Sequence, residues 1–319
     1  MLWYFLYPMS FEVFVLGTGG MMPLPHRFLT STLVRREGEI FLFDCGEGTQ
    51  VALKNLNLRW KKISAIFISH THADHVTGLP GMLMLNSQVD RSEPLYLIGP
   101  PRLKEYYEVN RKALEMFINY EIIIQEIQNP LQPQIVFETD EYLVRSFPLN
   151  HSRVCVGYSL EEKPRPGVFF PEKARELQIP VGPLWSQLQS GLEVVTPDGR
   201  TIKPEQVVGP TRRGLKYSYV TDTAPHPGIA GEVAGSDLFI CEGMFTRELE
   251  DSAREKKHMT STQAAQIAKE AGVSRMGLIH YSPRNTEKDL KQLLKEAREI
   301  FPATFLSRDG QQIELEYQD

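Results

Sequence analysis

The chain has 319 residues, a formal net charge of −5, and 41% apolar and 24% charged residues. Those values suit a folded protein with a substantial core and exclude disordered and fibrous classes. The negative balance also means that a nucleic-acid partner would have to be met by a local basic patch or by bound cations.

Residues 1–9 are apolar but too short to span a bilayer, and they lack the positive charge that opens a signal peptide. Translation from Met9 accounts for them simply. No other apolar run reaches membrane length, and the expected compartment is the cytoplasm. The three cysteines, Cys45, Cys155 and Cys241, cannot all pair and have no zinc-finger spacing, as suits a reducing environment. Cys45 and Cys241 fall inside apolar runs and read as small buried hydrophobes.

In chain order, 11–16 predicts a first strand, after which Gly17, Gly19 and Gly20 let the backbone turn tightly. Residues 31–36 and 40–44 flank Gly38 as a hairpin would. A helix is predicted at 47–56, a buried strand at 63–69 and a helix at 76–87. A strand (95–98), a helix (102–116) and a strand (121–127) follow, then a strand-rich stretch over 135–160. Residues 215–220 and 238–241 read as strands, 262–271 as a helix, 276–279 as a strand and 287–300 as a helix. Strands in runs with helices interspersed predict two central sheets covered on their outer faces.

Residues 161–214 interrupt this pattern with Lys163-Pro-Arg-Pro-Gly167, a short helical stretch at 171–177, Gly182-Pro183 and Gly209-Pro210. So much proline and glycine predicts a poor sheet and a poor core. The sandwich does not need the segment, because 154–160 could pass directly to 215–220, and a long excursion of this kind is usually functional or disordered. Over 161–216 there are 9 Lys and Arg against 7 Asp and Glu, a net of +2 in a chain of −5.

The chemistry concentrates where strand 63–69 ends. His70-Thr71-His72-Ala73-Asp74-His75 offers four metal-competent side chains in six residues, with donors that suit zinc and a spacing that serves two ions. Strand ends on one sheet edge converge. His151, Asp222 and His280 each follow a strand pattern (142–149, 215–220 and 276–279), so all three are candidates to complete the cluster.

With Phe43-Asp44-Cys45-Gly46-Glu47 ahead of that cluster, the chain resembles the metallo-β-lactamase superfamily, and within it the short tRNase Z (ribonuclease Z) enzymes, from about Phe11 to Glu316. The resemblance implies an αββα four-layer sandwich as one domain over 1–319. Residues 161–214 would be an inserted flexible arm that grips the tRNA elbow, with Gly182 and Pro183 as its signature. It implies a homodimer in which one subunit's arm presents precursor tRNA to the other's active site. Two zinc ions (or another divalent ion, such as manganese) about 3.5–4 Å apart would clamp the reacting phosphate. By family pattern His70, His72 and His151 hold one ion, Asp74, His75 and His280 the other, and Asp222 bridges them. Asp74 would also orient the attacking hydroxide. Asp44 either fixes a ligand histidine or satisfies local backbone donors.

Release of a 3′-hydroxyl needs a proton at the departing oxygen. Glu242 and His258 resemble the glutamate–histidine pair that delivers it, with Thr260-Ser-Thr-Gln263 as a capping box beside the histidine. Arg27, Ser282 and Arg284 are candidate substrate contacts. The loop at Pro23–Phe28 keeps Pro23 and Arg27 of the family's P-x-K-x-R-N pattern but lacks its Lys and Asn, and Cys241 replaces the histidine that precedes Glu242 in the family. The main alternative is a hydrolase of the same fold acting on a small substrate, which would have no use for the arm. A silent RNA-binding scaffold would have no reason to keep seven ligands.

Overall fold

The computed structural model describes residues 11–89 and 91–317; the first nine residues and the start at Met9 lie outside it. The elements in chain order are β1 (Phe11–Gly17), β2 (Ser31–Arg36), β3 (Glu39–Phe43), α1 (Thr49–Asn55), β4 (Ile63–Phe67), α2 (Ala73–Val76), α3 (Leu79–Asn86), β5 (Leu95–Gly99), α4 (Leu103–Ala113), β6 (Ile122–Glu126), β7 (Gln134–Glu138), β8 (Tyr142–Asn150) and β9 (Val154–Glu162). Next come α5 (Pro171–Glu176), α6 (Pro183–Gln189), β10 (Val194–Val195) and β11 (Thr201–Ile202). The chain ends with β12 (Lys216–Val220), α7 (Gly228–Glu232), β13 (Leu238–Glu242), α8 (Glu250–Lys256), α9 (Ser261–Glu270), β14 (Met276–Ile279), α10 (Glu287–Arg298), β15 (Thr304–Leu306) and β16 (Gln312–Leu315). None of the described helices is long and apolar enough to cross a membrane.

Two seven-stranded sheets dominate the larger of two compact units (11–138, 143–160 and 215–316 among the described residues). The first runs β16-β1-β2-β3-β4-β5-β6, the second β15-β14-β13-β12-β9-β8-β7. Strand periodicity of two sorts their side chains. From β3, Phe41 and Phe43 turn towards the other sheet, and Phe43 stacks on Phe67 at 5.1 Å and meets Tyr217 edge-on at 5.2 Å. The alternate residues Ile40 and Leu42 join the apolar cluster under α1, α3 and α4, which includes Leu53, Leu83 and Leu103. On the second sheet, Phe239, Cys241 and Leu278 do the same with Ala264, Ala268 and Leu293 of α9 and α10. Each sheet therefore buries one face on the other sheet and one on helices, the αββα order that the sequence predicts.

The helix predicted over 76–87 begins only at Leu79, as α3, and a separate helical turn, α2, ends at Val76. Gly78 passes so close to Gly46 that a β-carbon there would lie 2.2 Å from the Gly46 carbonyl oxygen. Pro80 then lacks the N–H that would bond back to Val76. The Val76 carbonyl accepts the Tyr106 hydroxyl instead, at 2.8 Å. The strands β15 and β16 and the helices α7 and α8 lie outside the elements predicted from the sequence.

The smaller unit comprises 139–142, 161–214 and 317. Contrary to the expectation of a poor core, it buries Ala174, Ile179, Leu188, Val194, Ile202 and Val207 together. The β10–β11 hairpin pairs Val194 with Ile202, and the Trp185 indole N–H donates to the Ile179 carbonyl at 3.1 Å. Proline and glycine shorten the elements here but leave enough apolar side chains to close a small core.

Candidate metal centre

All seven predicted ligands meet at the ends of β4, β8, β12 and β14. His70 Nε2 and His151 Nε2 lie 2.9 and 3.2 Å from His72 Nδ1. Asp222 faces this group with Oδ2, which is 3.7 Å from His70 and 3.6 Å from His151. Its other oxygen, Oδ1, is 3.3 Å from His75 Nε2 and 3.1 Å from His280 Nε2. Asp74 Oδ2 lies 3.3 Å from His280 Nε2. One carboxylate thus divides its two oxygens between two sets of ligands.

Three of the five histidines, His70, His75 and His151, have the rear nitrogen held by a hydrogen bond. His75 Nδ1 donates to Asp44 Oδ2 at 2.7 Å, and His70 Nδ1 donates to Ser69 Oγ at 3.0 Å. Ser69 Oγ passes its own proton to Asp44 Oδ2 at 2.8 Å. Asp44 also accepts from the Ser69 amide and the Tyr219 hydroxyl, both at 2.7 Å. Asp44 thus bonds directly to one histidine of the cluster, through Ser69 to a second, and to a backbone amide. His151 Nδ1 donates to the Lys257 carbonyl at 3.1 Å. In each neutral ring the lone pair on the other nitrogen turns inwards.

These residues fit divalent cations. The inward lone pairs of His70 and His151 both crowd His72 Nδ1, which can supply at most one proton to the three. His75 Nε2 is buried and makes no hydrogen bond among the described residues. The electrostatics agree. Burial works against a charged His75, yet Asp222, Asp44 and Asp74 outweigh it and hold its pKa well above the ordinary range. Burial likewise pushes Asp222 and Asp74 up, but the surrounding histidines win and hold both below the usual carboxylate range. His70, with three imidazoles close by, is held low chiefly by burial. Carboxylates this close to buried imidazoles favour positive charge in the cluster, which a divalent cation would supply in place of a protonated His75.

Two neighbours shape the site. A β-carbon on Gly20 would lie 2.7 Å from His280 Cε1 and Nε2, so the glycine turn read from the sequence lets the backbone approach that ring. The adjacent Met21 amide donates to Asp74 Oδ2 at 2.7 Å. A cavity of about 420 Å³ opens over the cluster, lined by Met21, His72, Asp74, His151, Asp222, His258 and His280 among others.

His258 and Glu242 face each other at this cavity. Buried Glu242 Oε1 accepts from His258 Nδ1 at 2.9 Å and from the Thr223 amide at 2.7 Å. Burial lowers the His258 pKa, but the charge and hydrogen bond of Glu242 outweigh it and raise it to about 9. The capping box is present, with Thr260 Oγ1 accepting from the Gln263 amide at 3.2 Å. Arg27 donates to the Ser282 carbonyl at 3.3 Å and lies over the Tyr281 ring. Arg284 is exposed, with its amide 3.3 Å from Ser282 Oγ. Gly182 and Pro183 open α6 in the smaller unit. The cysteines are buried and free, and burial pushes the Cys45 thiol up to about 12.

Residues 195–281 match the beta-lactamase superfamily domain, and residues 11–146 match the family described as anti-Pycsar protein Apyc1. Ribonuclease Z of Treponema denticola is 64% identical over 311 residues, covering 98% of this chain and 100% of the relative. The chain belongs to the ribonuclease Z family. Ribonuclease Z of Borreliella burgdorferi is 44% identical, covering 96% of this chain and 97% of the relative. Human tRNase Z, short form, superposes with a TM-score of 0.68 at 23% identity, covering 95% of this chain and 98% of that one, and so shares the fold. As a ribonuclease Z the chain is a hydrolase of phosphodiester bonds with a divalent-metal site. Ser69, Tyr219, Met21 and Lys257 bond to residues of the site, and sequence reasoning missed all four, although Ser69, Met21 and Lys257 adjoin His70, Gly20 and His258.

Proposed function

We propose that this enzyme removes the 3′ trailer from precursor tRNA, leaving a 3′-hydroxyl on the tRNA and a 5′-phosphate on the trailer. The observation that carries the reading is the split of Asp222 between two ligand sets beside the Glu242–His258 pair. His70, His72 and His151 would hold one zinc ion and Asp74, His75 and His280 the second, with Asp222 shared. When bound, such a pair supplies hydroxide at neutral pH and neutralises charge on the phosphoryl oxygens.

The chain's own residues do the rest. Asp74, held by the Met21 amide, orients the attacking oxygen. His258 carries its Nδ1 proton against Glu242, so Nε2–H is left to face the cavity and protonate the departing 3′ oxygen. Glu242 stabilises the imidazolium before transfer and keeps the ring from turning. Arg27 and the Ser282–Arg284 loop contact phosphates beside the scissile bond. The segment 161–214, with Gly182 and Pro183, grips tRNA, and in a homodimer serves the partner subunit's site. The enzyme works in the cytoplasm, where precursor tRNA is made.

Incubation of a 3′-extended precursor tRNA with protein and zinc tests the reading. A single cut with the ends given above is expected. No cleavage, or a 2′,3′-cyclic phosphate end, would overturn it.

A further inference from the structure

Lys257 ends α8 with φ 56°, in the left-handed region. Glycine is the usual residue there, because a β-carbon crowds the backbone. Its side chain, however, has a partner far away in sequence. Lys257 Nζ donates to the His151 carbonyl at 3.1 Å, while the Lys257 carbonyl accepts His151 Nδ1–H at the same distance. Two hydrogen bonds of opposite sense thus close a ring between residues 106 apart. The next residue, His258, bonds to Glu242, and its ring centroid lies 5.2 Å from that of His151.

We infer that Lys257 is a positioning residue, whose ammonium clamps the loop carrying His258 onto the loop carrying His151. The carbonyl contact alone fixes the His151 tautomer. Any residue at 257 could make that contact, given the same backbone. The ammonium adds a charge-assisted bond that stops the two loops from sliding apart, so that the ligand nitrogen and the proton donor keep one spacing. Lys257 is among the residues lining the cavity over the cluster, but its ammonium is directed at the His151 carbonyl. The inference rests on the function proposed above, although its first measurement does not need that function to be right.

The test uses the full chain loaded with zinc. Lys257→Gly keeps the left-handed backbone and removes only the clamp; Lys257→Arg restores a cation of similar reach. Zinc release to a chromogenic chelator should be about tenfold faster in Lys257→Gly, in the range found for groups that orient metal ligands, and near wild type in Lys257→Arg. On bis(p-nitrophenyl) phosphate, Lys257→Gly should lower kcat with KM unchanged. Wild-type release and kcat in Lys257→Gly would refute the clamp. A rise in KM that steepens with salt, with normal zinc release, would also refute it by making Lys257 a substrate contact. If the wild-type protein cuts no RNA, the proposed function fails while the zinc-release comparison still decides the clamp.

Discussion

Replacing Asp44 by Asn probes how the site is built, since the change keeps size and removes charge. Asp44 Oδ2 receives three donors, from His75, Ser69 and Tyr219, while Oδ1 receives the Ser69 amide. An asparagine must keep its carbonyl oxygen towards the amide, which leaves NH₂ facing three donors. The two hydroxyls can rotate away, but the imidazole N–H of His75 cannot. His75 either loses a charge-assisted hydrogen bond, about 1.5–3 kcal/mol, or moves its proton to Nε2 and gives up its metal-facing lone pair. Either route predicts roughly 10–100-fold weaker metal binding. Competition with a chelator of known affinity measures this, and circular dichroism checks that the fold survives. Binding within about threefold of wild type would refute the role given to Asp44, because the cost of one such bond exceeds that factor.

Other perturbations separate the parts. His258→Ala should lower kcat far more than tRNA affinity; a pure binding defect would remove it from proton transfer. Because His258 acts in its protonated form with a pKa raised to about 9, wild-type kcat should hold below that pH and fall as pH rises through it, and the variant should lack this fall. Gly20→Ala should displace the His280 ring and cut the metal content with little change in melting temperature; full metal content would show that the ring has room to move. Exchanging 161–214 for a short linker should cripple tRNA cleavage while sparing a small phosphodiester, and equal losses would count against a tRNA-gripping arm.

The sequence displayed the ligands because metal chemistry is restrictive in residue type and strand ends are recognisable in a chain. His70 to His75 form a local motif, and His151, Asp222 and His280 each follow an apolar run. The capping box exposed the neighbourhood of His258 for the same local reason. The supporting residues had no such signal. Tyr219 reaches Asp44 across 175 positions and Lys257 reaches His151 across 106, and neither spacing follows from periodicity. Within the fold, the break at Gly78 depends on backbone contact with Gly46. The core of the smaller unit depends on apolar residues scattered between prolines, and neither pattern is periodic.

The two cations proposed for these seven side chains can be counted and located. Elemental analysis of the zinc-loaded chain, with anomalous scattering from its crystals, tests that proposal most directly. Two ions per chain are predicted, one against His70, His72 and His151, the other against Asp74, His75 and His280, both touching Asp222. A single ion, or a pair bound elsewhere, would contradict the account.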